Sequence, residues 1–170
     1  MTRSGFAEQK SWSDGHIDEV NRVVRRIVGK IIDIVPTDPE RDRLEGIDYD
    51  IKVAAGTIAC RIRRAEYRYR DLTMTSRRVS GARAEIDKIR SGSVRWYLYA
   101  WAADGKFQEW MFIDLEKLRA RGLIDTAMRE GNTKQDASGN TFIYIPFGRL
   151  LKEGVVVDHH MEPERLRRIS

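Results

Sequence analysis

The chain has 170 residues, 41% hydrophobic and 34% charged, with 31 basic against 26 acidic side chains and a net charge of +5. That length is one domain's worth and can bury a core unaided, while a single cysteine, Cys60, excludes a disulfide framework and points to a reducing cytoplasm. No run approaches the ~18 apolar residues of a membrane span, and the first residues lack the apolar stretch of a secretory signal.

In chain order, residues 1–14 are polar and read as a flexible N-terminus. HIDEVNRVVRRIVGKIIDIV follows helical periodicity, with Ile17, Val20, Val23 or Val24, Ile27 and Ile31 on one stripe and Asp14 as N-cap. PTDPERDRLEG ends it as a loop. Three strand-like segments come next: LEGIDYDIKV, TIACRIRR and YRYRDLTMTSRR. Their short connections predict an antiparallel meander. GARAEIDKIRSG predicts a short helix with Ser80 as N-cap and Gly92 as its terminator. VRWYLYAWA reads as a strand buried on both faces, near the middle of a mixed sheet, and KFQEWMFIDL as its neighbour. A helix before VRWYLYAWA permits a parallel crossover. LEKLRARGLI and FGRLLKEG are short helices, EGNTKQDASGN a loop, and TFIYIPF the last strand. Residues 15–158 are thus expected to form a single α/β (α+β) domain, a mixed central sheet flanked by helices, with residues 159–170 a charged tail.

The first two strand-like segments carry an ordered charge pattern. If they form a hairpin, Val53 faces Ile58, and the pairs Ile51–Cys60 and Tyr49–Ile62 keep one face apolar. The other face then sets Asp50 against Arg61 and Asp48 against Arg63. Cross-strand ion pairs contribute about 0.2–1 kcal/mol each and explain the charges without a metal. Cys60 is expected to be a small buried hydrophobe. The aromatic residues of VRWYLYAWA and KFQEWMFIDL are expected to be core, and His159–His160, without regular spacing to further ligands, is not read as a metal site. No phosphate-loop, dinucleotide-binding, zinc-protease or serine-hydrolase motif occurs.

The order αβββαβ, with an aspartate on one strand and a charged segment on the next, resembles the PD-(D/E)XK (restriction-endonuclease-like) nuclease superfamily over roughly residues 15 to 115. The resemblance implies a Mg²⁺-dependent DNA endonuclease of phage or bacterial type, with Asp48 (or Asp50) as a metal ligand. The motif is degenerate: the carboxylate-x-lysine slot reads Ala59-Cys60-Arg61, and arginine cannot relay a proton as lysine can. Glu85 on the following helix, with Lys88 one turn on, matches members that relocate the second carboxylate. Glu19 matches an acidic residue some members place on the first helix, and Lys52 stands in for the lysine. The implied metal set is therefore Asp48 and Glu85, with Arg61 or Lys52 stabilising the phosphate. The alternative is a catalytically inactive nuclease-like fold acting as a DNA-binding or protein-assembly subunit.

Arg61, Arg63, Arg68, Arg77 and Arg78 form an arginine-rich run interleaved with Tyr67 and Tyr69. Guanidinium forks match phosphate oxygens, so a nucleic-acid-binding sheet face is one reading and a solvated strand surface the other. The partner expected is nucleic acid, DNA in the first instance. No membrane is expected, and a homo-oligomer is compatible with the chain.

Overall fold

A computed structural model describes residue 8 and residues 11–29, 32–36, 49–53, 56–66 and 69–161. In chain order the elements are α1 (Ile17–Val28), β1 (Ile32–Pro36), β2 (Tyr49–Val53), β3 (Ile58–Arg64), β4 (Asp71–Arg77), α2 (Glu85–Arg90), β5 (Trp96–Ala103), β6 (Lys106–Asp114), α3 (Leu115–Ala120), α4 (Leu123–Arg129), β7 (Thr133–Gln135), β8 (Thr141–Pro146), α5 (Phe147–Lys152) and β9 (Val156–His160). The class is mixed α+β. A four-stranded mixed sheet runs β3-β5-β6-β9, a three-stranded antiparallel sheet runs β4-β8-β7, and β1 pairs with β2. Among the described residues no helix is long and apolar enough to cross a membrane.

β5 organises both cores. Its side chains alternate across the sheet, and its residues are buried on both sides. Trp96, Leu98, Ala100 and Ala102 join Val23 and Ile27 of α1 in one cluster. Tyr97, Tyr99 and Trp101 join Leu72 and Met74 of β4, Ile143 and Ile145 of β8, and apolar residues of α2, α3, α4 and α5 in the other. The apolar stripe of α1 therefore covers one face of the four-stranded sheet, and the second sheet with the short helices covers the other. β5 lies between β3, to which it is parallel, and β6, to which it is antiparallel, as its apolar sequence predicts.

Several sequence expectations are corrected. The helix does not continue through IIDIV: α1 ends at Val28 with Gly29 as C-cap, and Ile32–Pro36 is strand β1. Gly29 interrupts the helix, and the β-branched run beyond it favours extended backbone. The β2–β3 hairpin does not form. β2 pairs with β1, setting Asp50 opposite Val35 and Lys52 opposite Asp33. β3 pairs with β5, setting Arg61 opposite Tyr99 and Arg63 opposite Trp101. The Asp50–Arg61 ladder and the three-strand meander fall with it, since β4 pairs with β8 in the second sheet. The parallel crossover runs from β3 to β5, with β4 and α2 inside the connection. Period-2 alternation assigns residues to faces but does not choose the partner strand.

Cys60 is exposed rather than buried, because β3 is an edge strand of its sheet. The tail begins later than residue 159: β9 extends to His160 and pairs with β6. Asp14 lies in a helical turn before α1, whose N-cap is His16. Nδ1 of His16 donates to Trp12 O at 2.9 Å. For α2 the N-cap is Ala84, whose N–H donates to the Asp87 carboxylate at 3.1 Å, while Ser80 Oγ accepts from Ala82 N. Gly92 terminates α2 with φ 73°, its N–H donating to Ile89 O. Gly56 leads into β3 with φ 155°, and a Cβ there would meet Arg95 Cβ at 2.4 Å, so the close start of the β3–β5 pair requires glycine.

Candidate nucleic-acid interface

The elements converge at the edge of the four-stranded sheet, where β3 approaches β4 and α2. Odd residues of β3 share a face with Tyr97, Tyr99 and Trp101 of β5, so Ala59, Arg61 and Arg63 point toward the second sheet rather than to open solvent. A cleft of about 280 Å³ opens here, with Arg61, Thr75, Arg78, Glu85, Lys88 and Tyr97 among its walls.

Glu85, the first residue of α2, is held from three directions. Its Oε2 accepts from Arg61 Nη1 at 2.7 Å and from the backbone N–H of Thr75 at 3.1 Å. Its Oε1 accepts a short hydrogen bond from the Tyr97 hydroxyl. Arg61 Nη1 also donates to Thr73 O at 2.9 Å. The carboxylate thus ties β3, β4, β5 and α2 together. The Arg61 and Glu85 side chains are 22% and 21% exposed, so this is a half-buried ion pair. Burial is the largest single influence and disfavours the Arg61 charge, but the Glu85 carboxylate together with Tyr97 and Tyr99 more than offsets it, and the guanidinium is raised above its ordinary range. Burial and then the Glu85 carboxylate push the Tyr97 phenol well above the usual tyrosine value.

That shift has a measurable consequence. Tyr97 stays protonated in the native state at pH values where an unfolded tyrosine, with pKa about 10, releases its proton. Above pH ~10 the unfolded chain binds fewer protons than the native one, so unfolding free energy falls as pH rises; below it this contribution is fully present. Denaturant titrations on either side of pH ~10 should show the alkaline loss, and Tyr97→Phe should remove the share due to this group. An alkaline limb identical in wild type and Tyr97→Phe would contradict the assignment.

The residues expected to act together are only partly gathered. Arg61 and Glu85 meet directly. Glu19 does not join them: it lies on α1, over the opposite face of the four-stranded sheet. There its carboxylate accepts from Arg22 at 2.6 and 2.8 Å and from Phe107 N at 3.3 Å. The Arg22 hydrogen bonds hold it below the usual carboxylate range, against the opposing effect of burial. Lys52 is in β2, opposite Asp33. Asp48 and Arg68 lie outside the described residues. Arg77 and Arg78 are exposed at the end of β4. Arg63 donates from Nε to the Tyr99 hydroxyl at 2.9 Å.

No protein-family model, curated protein or solved structure matches this chain.

Mg²⁺ prefers near-octahedral oxygen coordination at 2.0–2.1 Å and retains several waters. Glu85 as placed offers little to that need: three of the roughly four acceptor sites of its carboxylate already serve Tyr97, Arg61 and Thr75. Among the described residues no group of three His, Cys, Asp or Glu side chains is arranged to hold a metal.

A second, smaller cleft of about 120 Å³ lies further along the same strip, with Arg63, Tyr69, Asp71, Thr73 and Lys134 among its walls. Sequence reading missed Lys134, which sits in a segment expected to be a loop. It belongs to β7, whose register with β8 sets Lys134 opposite Phe142. Its Nζ lies 3.6 Å from Asp71 Oδ2 and 4.3 Å from the ring centroids of both Tyr69 and Tyr144. Sequence reading also missed the pairing of Arg70 with Glu109, which are 3% and 2% exposed. The signal was a lone glutamate followed by the apolar run WMFI, a position whose charge needs a partner if buried.

Proposed function

We propose that this chain binds nucleic acid, DNA in the first instance, through the cleft between β3, β4 and α2. Of the two roles the nuclease resemblance implies, this is the binding role. One contrast carries the proposal. The acidic centre of the cleft is filled from within, while the cations around it are exposed. Arg78 and Lys88 line the cleft and are exposed, Arg77 is exposed next to Arg78 at the end of β4, and among the described residues none of these three side chains makes an ion pair. A carboxylate spent on Arg61, Tyr97 and Thr75 leaves the rim with uncompensated positive charge. Guanidinium and ammonium groups so placed match phosphate oxygens, arginine by paired hydrogen bonds and lysine as a point charge.

The experiment is fluorescence anisotropy of a labelled DNA oligonucleotide over a range of salt concentrations. Wild type should bind at low salt and weaken linearly in log–log form as salt rises. Each phosphate that the protein neutralises adds about 0.7–0.9 to the steepness of that line. The triple substitution Arg77→Ala, Arg78→Ala, Lys88→Ala should therefore make it shallower by about 2 and leave thermal unfolding nearly unchanged. Equal slopes in wild type and variant would contradict the proposal.

A further inference from the structure

We infer that the bound strand is single-stranded and that one of its bases stacks on Tyr69. This rests on the binding function proposed above and specifies its ligand. Tyr69 is the most exposed large hydrophobic side chain among the described residues, at 69%. It is also held in place. Its carbonyl accepts from Arg70 Nη1 at 3.5 Å, and Arg70 is fixed by a buried ion pair with Glu109 and by the Trp101 ring 4.8 Å from its guanidinium carbon. Lys134 Nζ lies 4.3 Å from the Tyr69 centroid, bridging it to Tyr144. The result is an aromatic ring presented to solvent next to a buried anchor, with a cation over one of its faces.

Its position relative to the basic rim completes the argument. Tyr69 comes just before β4 and Arg77 is the last residue of β4. Seven residues separate them, most of them in β4, whose register is irregular between Thr75 and Arg77, so the two ends lie at most about 26 Å apart at the usual strand rise. The two clefts lie between these ends: the smaller is walled by Asp71 and Thr73, the larger by Thr75, successive residues of one face of β4. The positive charge of Lys134 lies over one face of the ring, leaving the other face for a base, with Asp71 partly offsetting the charge at 3.6 Å. A strand lying along β4 therefore meets cations at one end and an exposed ring at the other. Aromatic plates beside a positive track are how proteins hold unpaired strands without reading sequence. A duplex keeps its bases stacked inside and has none to place on a protruding ring.

The test compares a labelled oligothymidylate with a hairpin duplex of equal charge, using wild type, Tyr69→Ala and Tyr69→Phe. The expected result is tighter binding of the oligothymidylate than of the duplex, a 5- to 150-fold loss in Tyr69→Ala, and retention in Tyr69→Phe, which keeps the ring. Because Tyr69 is exposed, all three proteins should unfold at the same temperature. If Tyr69→Ala binds oligothymidylate as tightly as wild type, or if the duplex binds equally well, the stacking inference is overturned while the basic rim stands. If neither form binds at low salt, the rim reading fails and the stacking inference with it.

Discussion

Replacing Glu109 by alanine should lower the unfolding free energy by about 3–5 kcal/mol, the usual effect of removing one partner from a buried ion pair. The reason lies in the sheet register. Glu109 stands opposite Trp101 in the β5–β6 pair and is 2% exposed. Its carboxylate takes a short hydrogen bond from Arg70 Nε. Without it, a guanidinium whose side chain is only 3% exposed keeps its charge with its main counter-charge gone. For a chain of this size the loss corresponds to a fall in melting temperature of roughly 6–20 °C. The double substitution Arg70→Met, Glu109→Leu should lose much less, because it removes both charges and keeps the volume. A Glu109→Ala loss below about 1 kcal/mol would show that the pair does not set this part of the core.

Glu85→Ala is expected to have the next largest effect, about 2–3 kcal/mol, because it leaves the Arg61 guanidinium, the Thr75 N–H and the Tyr97 hydroxyl without their shared acceptor. The figure sits below that for Glu109 because both members of the Arg61–Glu85 pair are about one-fifth exposed and water can partly take the place of the carboxylate. Glu85→Gln should be milder. Its amide oxygen can serve Arg61 and Thr75, and its NH₂ can donate to the Tyr97 hydroxyl, which is able to accept as well as donate. Chemical denaturation of the three proteins would decide it: Ala and Gln equally destabilising would contradict the hydrogen-bonding account, and neither destabilising would contradict the structural role altogether.

The sequence made some of this legible. The unbroken apolar run WYLYAWA announced a strand buried on both sides, and the structure places it between β3 and β6. Arg61 was singled out by its place on an alternating strand and Glu85 through the nuclease resemblance, and the two do meet. Their relation was not legible, because it depends on β3 pairing with β5 rather than with β2. Alternation in IACRIRR fixes which residues share a face, but the same pattern fits either neighbour. Partner choice follows from the wholly apolar β5, which needs strands along both edges. Glu19 shows the other limit. Helical periodicity placed it correctly on α1, yet only the topology reveals that α1 covers the face opposite Glu85. The buried Arg70 was hidden within an arginine-rich run that otherwise looks solvated.

The central claim is that the Glu85 carboxylate braces the cleft and the cations around it receive phosphate. The most direct measurement is oligonucleotide affinity of wild type and Glu85→Gln, with and without Mg²⁺, in one anisotropy titration. The account predicts binding that needs no divalent ion and is unchanged or somewhat tighter in Glu85→Gln, which removes a negative charge from among the cations. Binding that requires Mg²⁺ and is lost in a folded Glu85→Gln protein would contradict it and make Glu85 a metal ligand.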